Sequence, residues 1–186
     1  MKEHIPFFFD EHMNSMKDLS KQFDTIDEII DILKKAQTNG NTIFTIGNGG
    51  SGSTASHFVS DLLKTAITKN EKRFAAISLV DNISVNLAWS NDQSFESIFV
   101  EQLKNFLKPN DIIFVFSGSG NSKNVINAIE YAKQNNAISI GFTGMNGGKL
   151  KKFHPNSFFM TPHIASTCDA FLKGCRHDLD RLIEEL

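Results

Sequence analysis

The stretch IFTIGNGGSGSTASHFVSD, residues 43–61, contains the features that decide the fold. Its short β-branched and apolar start predicts a strand over 42–46. A glycine- and serine-rich turn, GNGGSGS (47–53), follows this strand. Serine residues then open a predicted helix over 51–67. A strand, a glycine-rich turn and a helix in this order form the opening unit of an α/β fold.

The same order recurs along the rest of the chain. Strands are predicted over 74–80, 111–117, 137–143 and, more weakly, 156–161. Helices are predicted over 82–90, 94–107, 122–136 and 166–186, with a short one over 147–153. The run DIIFVFS (111–117) is almost wholly apolar, which is typical of a strand buried on both faces of a parallel sheet. The alternation predicts a doubly wound, mostly parallel sheet with helices on both faces.

The chain length and the N-terminal pattern predict one domain. The 186 residues suit a single domain of ordinary size, and 40 % of them are apolar, which is enough for a real core. Apolar residues at helical spacing over 10–37 predict one or two helices there. We therefore expect a helical extension over 1–38 and an α/β core over 39–186.

Charge and apolar patterning exclude two classes of partner. The net charge is −2 and basic residues occur only in short clusters, so no nucleic-acid surface is expected. No stretch approaches the roughly 18–20 uninterrupted apolar residues of a membrane span. Cys168 and Cys175 lie seven residues apart, about 10.5 Å along a helix, which is too far for a disulfide. Two free thiols and the lack of a signal-peptide pattern predict a cytoplasmic protein.

Two turns of the same character follow two of the predicted strands. They are GNGGSGS (47–53), here called the first loop, and SGSGNS (117–122), here called the second loop. Glycine lets the backbone approach a ligand, serine adds donors, and the helix that follows presents free N–H groups, so together they favour a bound phosphate. Neither loop has the GxGxxG or GxxxxGK[ST] spacing of a nucleotide site. The alternative is that both loops merely end strands and cap helices.

Two His/Asp pairs stand at helical spacing. His57 and Asp61 are four residues apart, so they share a helix face and suit a metal ion or a proton transfer. A surface hydrogen bond is the competing interpretation of that pair. Asp169 and His177 are eight residues apart on the last predicted helix, about 12 Å along its axis, and one metal ion cannot bridge that distance. If all four serve one site, some come from a neighbouring chain, which predicts an oligomer.

The motifs GNGGSGSTASHFVSDL, SNDQSFESIF and SGSGNSKNVINAI, in this order, resemble the sugar isomerase (SIS) domain. Within that group they are most similar to the phosphoheptose isomerases. The resemblance implies an SIS-type, flavodoxin-like fold and an aldose–ketose isomerase acting on sedoheptulose 7-phosphate at the start of heptose synthesis. It also implies a homotetramer with sites between chains and one zinc ion per site.

The resemblance implies roles for residues at matching positions. Substrate contacts are implied for Asn48, Gly49, Gly50, Ser51, Asn91, Asp92, Ser117, Gly118, Ser119, Ser122 and Asp169. Zinc ligands are implied at His57, Asp61, Asp169 and His177. Asp61 stands where the family has a glutamate that is both ligand and base, and His177 stands at the second acid/base. Asp169 falls where the family has a glutamine, and Gly118 where it usually has a threonine.

The expected chemistry is proton transfer between C1 and C2 of an open-chain sugar through a cis-enediol. Asp61 would act as the base and His177 as the acid. Two alternatives stay open at this point. One is an isomerase of a different phosphosugar. The other is a non-catalytic SIS protein that binds a sugar phosphate or a protein partner, as does a relative that binds the replication initiator DnaA.

Overall fold

The computed structural model describes residues 20–144, 146–153 and 157–160, together with Met13, Asn14 and Lys17. The side chains of 157–160 are not described. The predictions for Cys168, Asp169, Cys175 and His177, for the last helix and for the first part of the N-terminal extension lie outside these residues.

Helix α1 spans Phe23–Asn39 and confirms the helical pattern before the first strand. Its apolar positions Ile26, Ile29, Ile30, Leu33 and Ala36 are all buried, as the spacing on one helix face requires. Gly40 ends the helix at φ 77°, and its N–H donates to the Ala36 carbonyl at 2.8 Å. Glycine suits this left-handed position because it has no Cβ to clash.

Five parallel strands form one sheet. They are β1 (Thr42–Gly47), β2 (Ala75–Ser78), β3 (Ile112–Ser117), β4 (Ile138–Thr143) and β5 (Ser157–Met160). Their order across the sheet is β2-β1-β3-β4-β5, and every neighbouring pair is parallel. All six residues of β3 are buried, as predicted for a central strand covered on both faces. This strand order is the flavodoxin-like one, which agrees with the fold that the family resemblance implied.

The remaining helices connect the strands. Helix α2 (Gly50–Ser60) continues into a single π-helical turn (Asp61–Thr65). Then come α3 (Ile83–Asp92), α4 (Ile98–Phe106) and α5 (Lys123–Gln134), and a short 3₁₀ turn (Leu150–Phe153) precedes β5. The sequence predicted one regular helix over 51–67, and the structure corrects its second half to the π turn.

Helices cover both faces of the sheet, as predicted. On one face α1 and α2 pack against a cluster of phenylalanines, in which Phe58 lies 4.8 Å from Phe114 between ring centroids. On the other face α4 and α5 pack against Phe44, Ile113 and Val115. Burial on both faces holds the central strands firmly, so the loops at their carboxyl ends start from fixed positions.

Among the described residues, no helix combines the length and apolarity that crossing a membrane requires.

Candidate active site

The two glycine-serine loops lie side by side at the carboxyl edge of the sheet. Strands β1 and β3 are neighbours, and Gly47 at the end of β1 is level with Phe116 of β3. After β1 the chain crosses to β2 on one side, and β3 lies on the other side. In open α/β sheets this reversal leaves a crevice where ligands bind. The first and second loops therefore border the same crevice.

The first loop is tight at its base and open at its tip. A Cβ on Gly47 would lie 2.4 Å from the Ser51 carbonyl oxygen, so only glycine fits where β1 turns into α2. Gly49 has φ 54°, and the space beside it and beside Gly50 is open. The Asn48 carbonyl accepts the Ser51 N–H at 3.0 Å. The predicted residues 48–51 thus form an exposed turn at the start of α2.

The second loop leads from β3 into α5. Ser117 is buried, Gly118 has open space where a side chain would stand, and Ser119 is exposed. Ser122 precedes the first turn of α5, but its side chain makes no capping hydrogen bond within the described chain. A helix N-terminus with a spare hydroxyl and free N–H groups attracts anions. These predicted residues therefore have the donors that a phosphate needs.

A reciprocal amide pair joins the two loops. The Asn48 Nδ2 donates to the Asn124 Oδ1 at 2.9 Å, and the Asn124 Nδ2 donates to the Asn48 Oδ1 at 2.8 Å. The Asn124 Oδ1 also accepts the Val125 N–H at 2.9 Å. Sequence reasoning missed Asn124. The sequence offered one signal for Asn124, since it is a polar residue next to Val125 on the apolar, buried side of the helix.

Asp61 lies one turn beyond His57, and both of its carboxylate oxygens are engaged. Its Oδ2 is 3.0 Å from the His57 Nε2, and its Oδ1 accepts the Thr65 hydroxyl at 3.0 Å. The His57 side chain is 73 % exposed and the Asp61 side chain 16 %. The two residues share one helix face, as the spacing predicts, and their direct contact fits the competing interpretation, a surface hydrogen bond, as well as a proton-transfer pair. Thr65, which the sequence analysis did not single out, could have been found at four residues from Asp61.

The π turn holds this carboxylate at the end of α2. It spans Asp61–Thr65, and the Ala66 N–H donates to the Asp61 carbonyl at 2.8 Å. Single π turns inside helices occur frequently at functional sites. An imidazole beside a half-buried carboxylate, each in hydrogen-bonding reach, can exchange protons with a ligand.

Asn91 and Asp92 lie at the carboxyl end of α3, where both are exposed. The Asn91 amide donates to the Asp92 carboxylate at 2.9 Å. These two predicted substrate residues, adjacent in the sequence, thus have exposed and mutually bonded side chains.

Two of the four predicted metal ligands lie in the described chain. A zinc site needs about four donors, and His57 with Asp61 supplies two of suitable chemistry. No cluster of three or more His, Cys, Asp or Glu residues occurs within the described ranges. Asp169 and His177, the other predicted ligands, fall outside those ranges. The residues fit a zinc site in donor type and do not complete it alone.

A separate groove of about 330 Å³ lies between α4 and α5. It is lined by Glu96, Glu101 and Glu130 among others, and by none of the predicted site residues. Glu96 and Glu101 are already paired with lysines at 2.8 and 2.7 Å. Two of its three glutamates are surface ion-pair partners, so the loops at the sheet edge are the better candidate site.

Comparison with known proteins bears on this arrangement. The family model of the SIS domain matches residues 7–144. A probable phosphoheptose isomerase of Thermoplasma acidophilum is 41 % identical over 133 residues, which are 72 % of each chain. A phosphoheptose isomerase of Crocosphaera subtropica is 36 % identical over 143 residues, 75 % of this chain and 72 % of that one.

A solved structure shares the fold. The phosphoheptose isomerase GmhA from Neisseria gonorrhoeae superimposes with a TM-score of 0.84 at 24 % identity, covering 97 % of this chain and 98 % of that one. The two proteins therefore share the same arrangement of parallel sheet and covering helices.

Proposed function

The chain belongs to the SIS-domain family of phosphoheptose isomerases, and from this premise we propose that it interconverts sedoheptulose 7-phosphate and an aldoheptose 7-phosphate. The reaction is an aldose–ketose isomerisation. Its ketose substrate carries the carbonyl at C2, its product carries it at C1, and the phosphate stays at the far end of the sugar.

One observation supports this proposal most. The first and second loops border one crevice, and the helix that leaves the first loop presents the Asp61 carboxylate. Binding a phosphate at the loops supplies positioning energy away from the reacting carbons. We propose that the sugar chain extends from the anchored phosphate toward the Asp61 carboxylate, which stands at the far end of α2.

Proton transfer follows from the residue types. The Asp61 carboxylate takes the proton from C1 of the ketose, which leaves a cis-enediol, and returns it to C2 to give the aldose. Protons on the two oxygens move in the opposite sense, and His177 is proposed to carry them. A positioned acid or base of this kind is worth roughly 10²–10⁴ in rate. The Thr65 hydroxyl donates to one Asp61 oxygen, and the His57 Nε2 lies 3.0 Å from the other, so both oxygens have a near neighbour.

Zinc remains part of the proposal. His57 and Asp61 would hold it together with Asp169 and His177, and the bound ion would polarise the sugar carbonyl as a Lewis acid.

Oligomerisation and location are also proposed. Helix α3 has no buried residue, and its Ile83 and Leu87 side chains are 68 % and 65 % exposed. An apolar helix left open to solvent marks an interface, and a second copy of this chain is the proposed occupant in a homotetramer. On the predicted last helix Asp169 and His177 would stand about 12 Å apart along the axis, which is consistent with sites shared between chains. The two cysteines, interpreted as free thiols, support a cytoplasmic location.

The decisive experiment follows sedoheptulose 7-phosphate by NMR with wild type, Asp61→Asn and, as a control, Asp27→Asn on the exposed side of α1. Wild type and Asp27→Asn should form the aldose, and a chelator should slow both. Asp61→Asn should lose turnover by at least about 10²-fold while still binding the sugar phosphate.

Three results would change the proposal. Full activity in Asp61→Asn removes that residue as the base. Binding without turnover by wild type favours the non-catalytic sugar-phosphate binder. Conversion of another phosphosugar, but not of sedoheptulose 7-phosphate, would show that the same residues catalyse the isomerisation of a different substrate.

A further inference from the structure

We propose that Asn124 is a positioning residue that sets the Asn48 carboxamide, and with it the first loop, for binding the phosphosugar. This inference rests on the proposed function, because Asn48 is expected to contact the substrate. Asn124 itself is 2 % exposed, so it acts through Asn48 rather than by touching the ligand.

The orientation of Asn124 is fixed by its own helix. The Val125 N–H can only donate, so the atom of Asn124 that faces it at 2.9 Å must be the side-chain oxygen. The nitrogen of Asn124 then points the other way, toward the Asn48 oxygen at 2.8 Å. An amide that elsewhere could flip by 180° has one orientation here.

That orientation is passed on to Asn48. Its oxygen must meet the Asn124 nitrogen, and its nitrogen must meet the Asn124 oxygen at 2.9 Å. A carboxamide has two N–H donors and two oxygen lone pairs. One of each is used in the pair, so Asn48, which is partly exposed, keeps one N–H and one lone pair for a ligand. Asn124 decides the direction in which both point.

The pair also connects two elements that are far apart in sequence. Asn48 belongs to the first loop, and Asn124 lies in the first turn of α5 behind the second loop. Because Val125 is near the positive end of α5, its N–H polarises the pair and makes the spare Asn48 N–H a stronger donor. The first loop is thereby set relative to the second before a ligand arrives, which lowers the ordering cost of binding.

The test compares wild type with Asn124→Ala, Asn124→Asp, Asn48→Ala and the double variant Asn48→Ala/Asn124→Ala. Asn124→Asp keeps the side-chain size and removes the N–H donors, so it remains informative if the alanine variant folds poorly. The control is Asn127→Ala, which deletes an amide one turn later on α5 that donates to the Glu96 carbonyl at 3.2 Å. Two quantities are measured, the dissociation constant of sedoheptulose 7-phosphate and amide hydrogen exchange along the chain.

The expected result is specific to the first loop. Asn124→Ala and Asn124→Asp should each weaken sugar-phosphate binding about tenfold, the equivalent of one hydrogen bond. The double variant should bind no more weakly than Asn48→Ala, because both changes remove the same oriented donor. Exchange should accelerate in residues 48–52 and stay unchanged in β3 and β4. Asn127→Ala should resemble wild type in both measurements.

The contrary results are distinct. Unchanged affinity and exchange in both Asn124 variants overturn the inference. Faster exchange in β3 and β4 as well, or additive losses in the double variant, also overturn it, since they indicate a general packing role. If exchange accelerates only in residues 48–52 but wild type binds no phosphosugar, the proposed function fails while the coupling of the loop to Asn124 stands.

Discussion

The second loop rests on another part of the chain, whereas the first loop is held by the start of its own helix and by one side-chain pair. The Leu150 N–H donates to the Gly120 carbonyl at 3.1 Å, and the Gly144 N–H donates to the Gly118 carbonyl at 3.0 Å. The first loop has local backbone bonds to Asn48 and the pair with Asn124. The two loops contain the same residue types, so they differ in the hydrogen bonds that hold them in place and not in composition.

This difference separates two tasks within the proposed phosphate site. A loop braced by a neighbouring backbone keeps its shape without a ligand, and its serines can serve as a fixed anion cradle. A loop with an open tip allows close approach of the sugar but depends on a single buried partner for its orientation. Changes that disturb the backbone contacts of the second loop should therefore affect folding first, and changes at the open tip of the first loop should affect binding first.

Gly120→Ala is expected to have the largest effect. Gly120 has φ +62°, and a Cβ there would lie 2.1 Å from the Gly147 carbonyl oxygen. The left-handed backbone and the overpacking together should lower the free energy of unfolding by about 2–4 kcal/mol, measured by urea denaturation. Gly118→Ala is the matched control, because Gly118 has open space beside it. Equal stability of the two variants would contradict the proposed bracing.

The placement of these loops could be predicted from sequence, but their support could not. The apolar runs 42–46 and 111–117 predicted strands, and the glycine-serine stretches after them predicted paired turns. The backbone contact between Gly120 and Gly147 joins residues 27 positions apart with no side-chain pattern to mark it. The pairing of Asn48 with Asn124 could not be predicted from the sequence either, because each asparagine alone is typical of a turn or a helix start.

The helix that carries Asp61 shows the same limit. The i, i+4 spacing predicted that His57 and Asp61 share a helix face, and in the structure their side chains lie 3.0 Å apart. The π turn at Asp61–Thr65 could not be predicted in this way, because the spacing of residues along the sequence does not show how a helix end packs. Asp169 and His177 lie outside the described residues, so their contribution to the site stays a prediction.

Ser122→Ala is expected to have the next largest effect, on binding. The hydroxyl makes no capping bond within the described chain, so its loss should change the free energy of unfolding by less than about 0.5 kcal/mol. Loss of one hydrogen bond to a phosphate should weaken the binding of the sugar phosphate about tenfold, measured by calorimetry. Ser20→Ala, an exposed serine that precedes α1 and lies outside both loops, is the control and should bind as wild type does. A stability loss without a binding loss would make Ser122 a structural residue.

Gly50→Ala should separate folding from binding in the first loop. Gly50 begins α2 without positive φ and with open space beside it, so alanine should leave stability unchanged or raise it by up to about 1 kcal/mol. The added methyl group would occupy the open space through which the sugar phosphate is proposed to approach the backbone. We expect KM to rise several-fold while the thermal unfolding midpoint does not fall. An unchanged KM would mean that the substrate does not approach this turn.

Glu96→Gln is expected to have the smallest effect and tests whether charge beside the second loop matters to folding. The Lys123 Nζ lies 2.8 Å from Glu96 at the start of α5, and the pKa of Lys123 is raised above 10.5 by that hydrogen bond and by the carboxylate charge. A raised lysine pKa stabilises the fold below the unfolded value, and this stabilisation is lost as pH rises through the folded value. Lys123 is fully exposed, so solvent should screen the pair almost completely.

The unfolding midpoint of Glu96→Gln should match wild type at pH 7 in high salt, and any small difference at low salt should vanish above the folded pKa. A clear drop at pH 7 that survives high salt would show that the second loop is braced by this ion pair as well as by its backbone contacts.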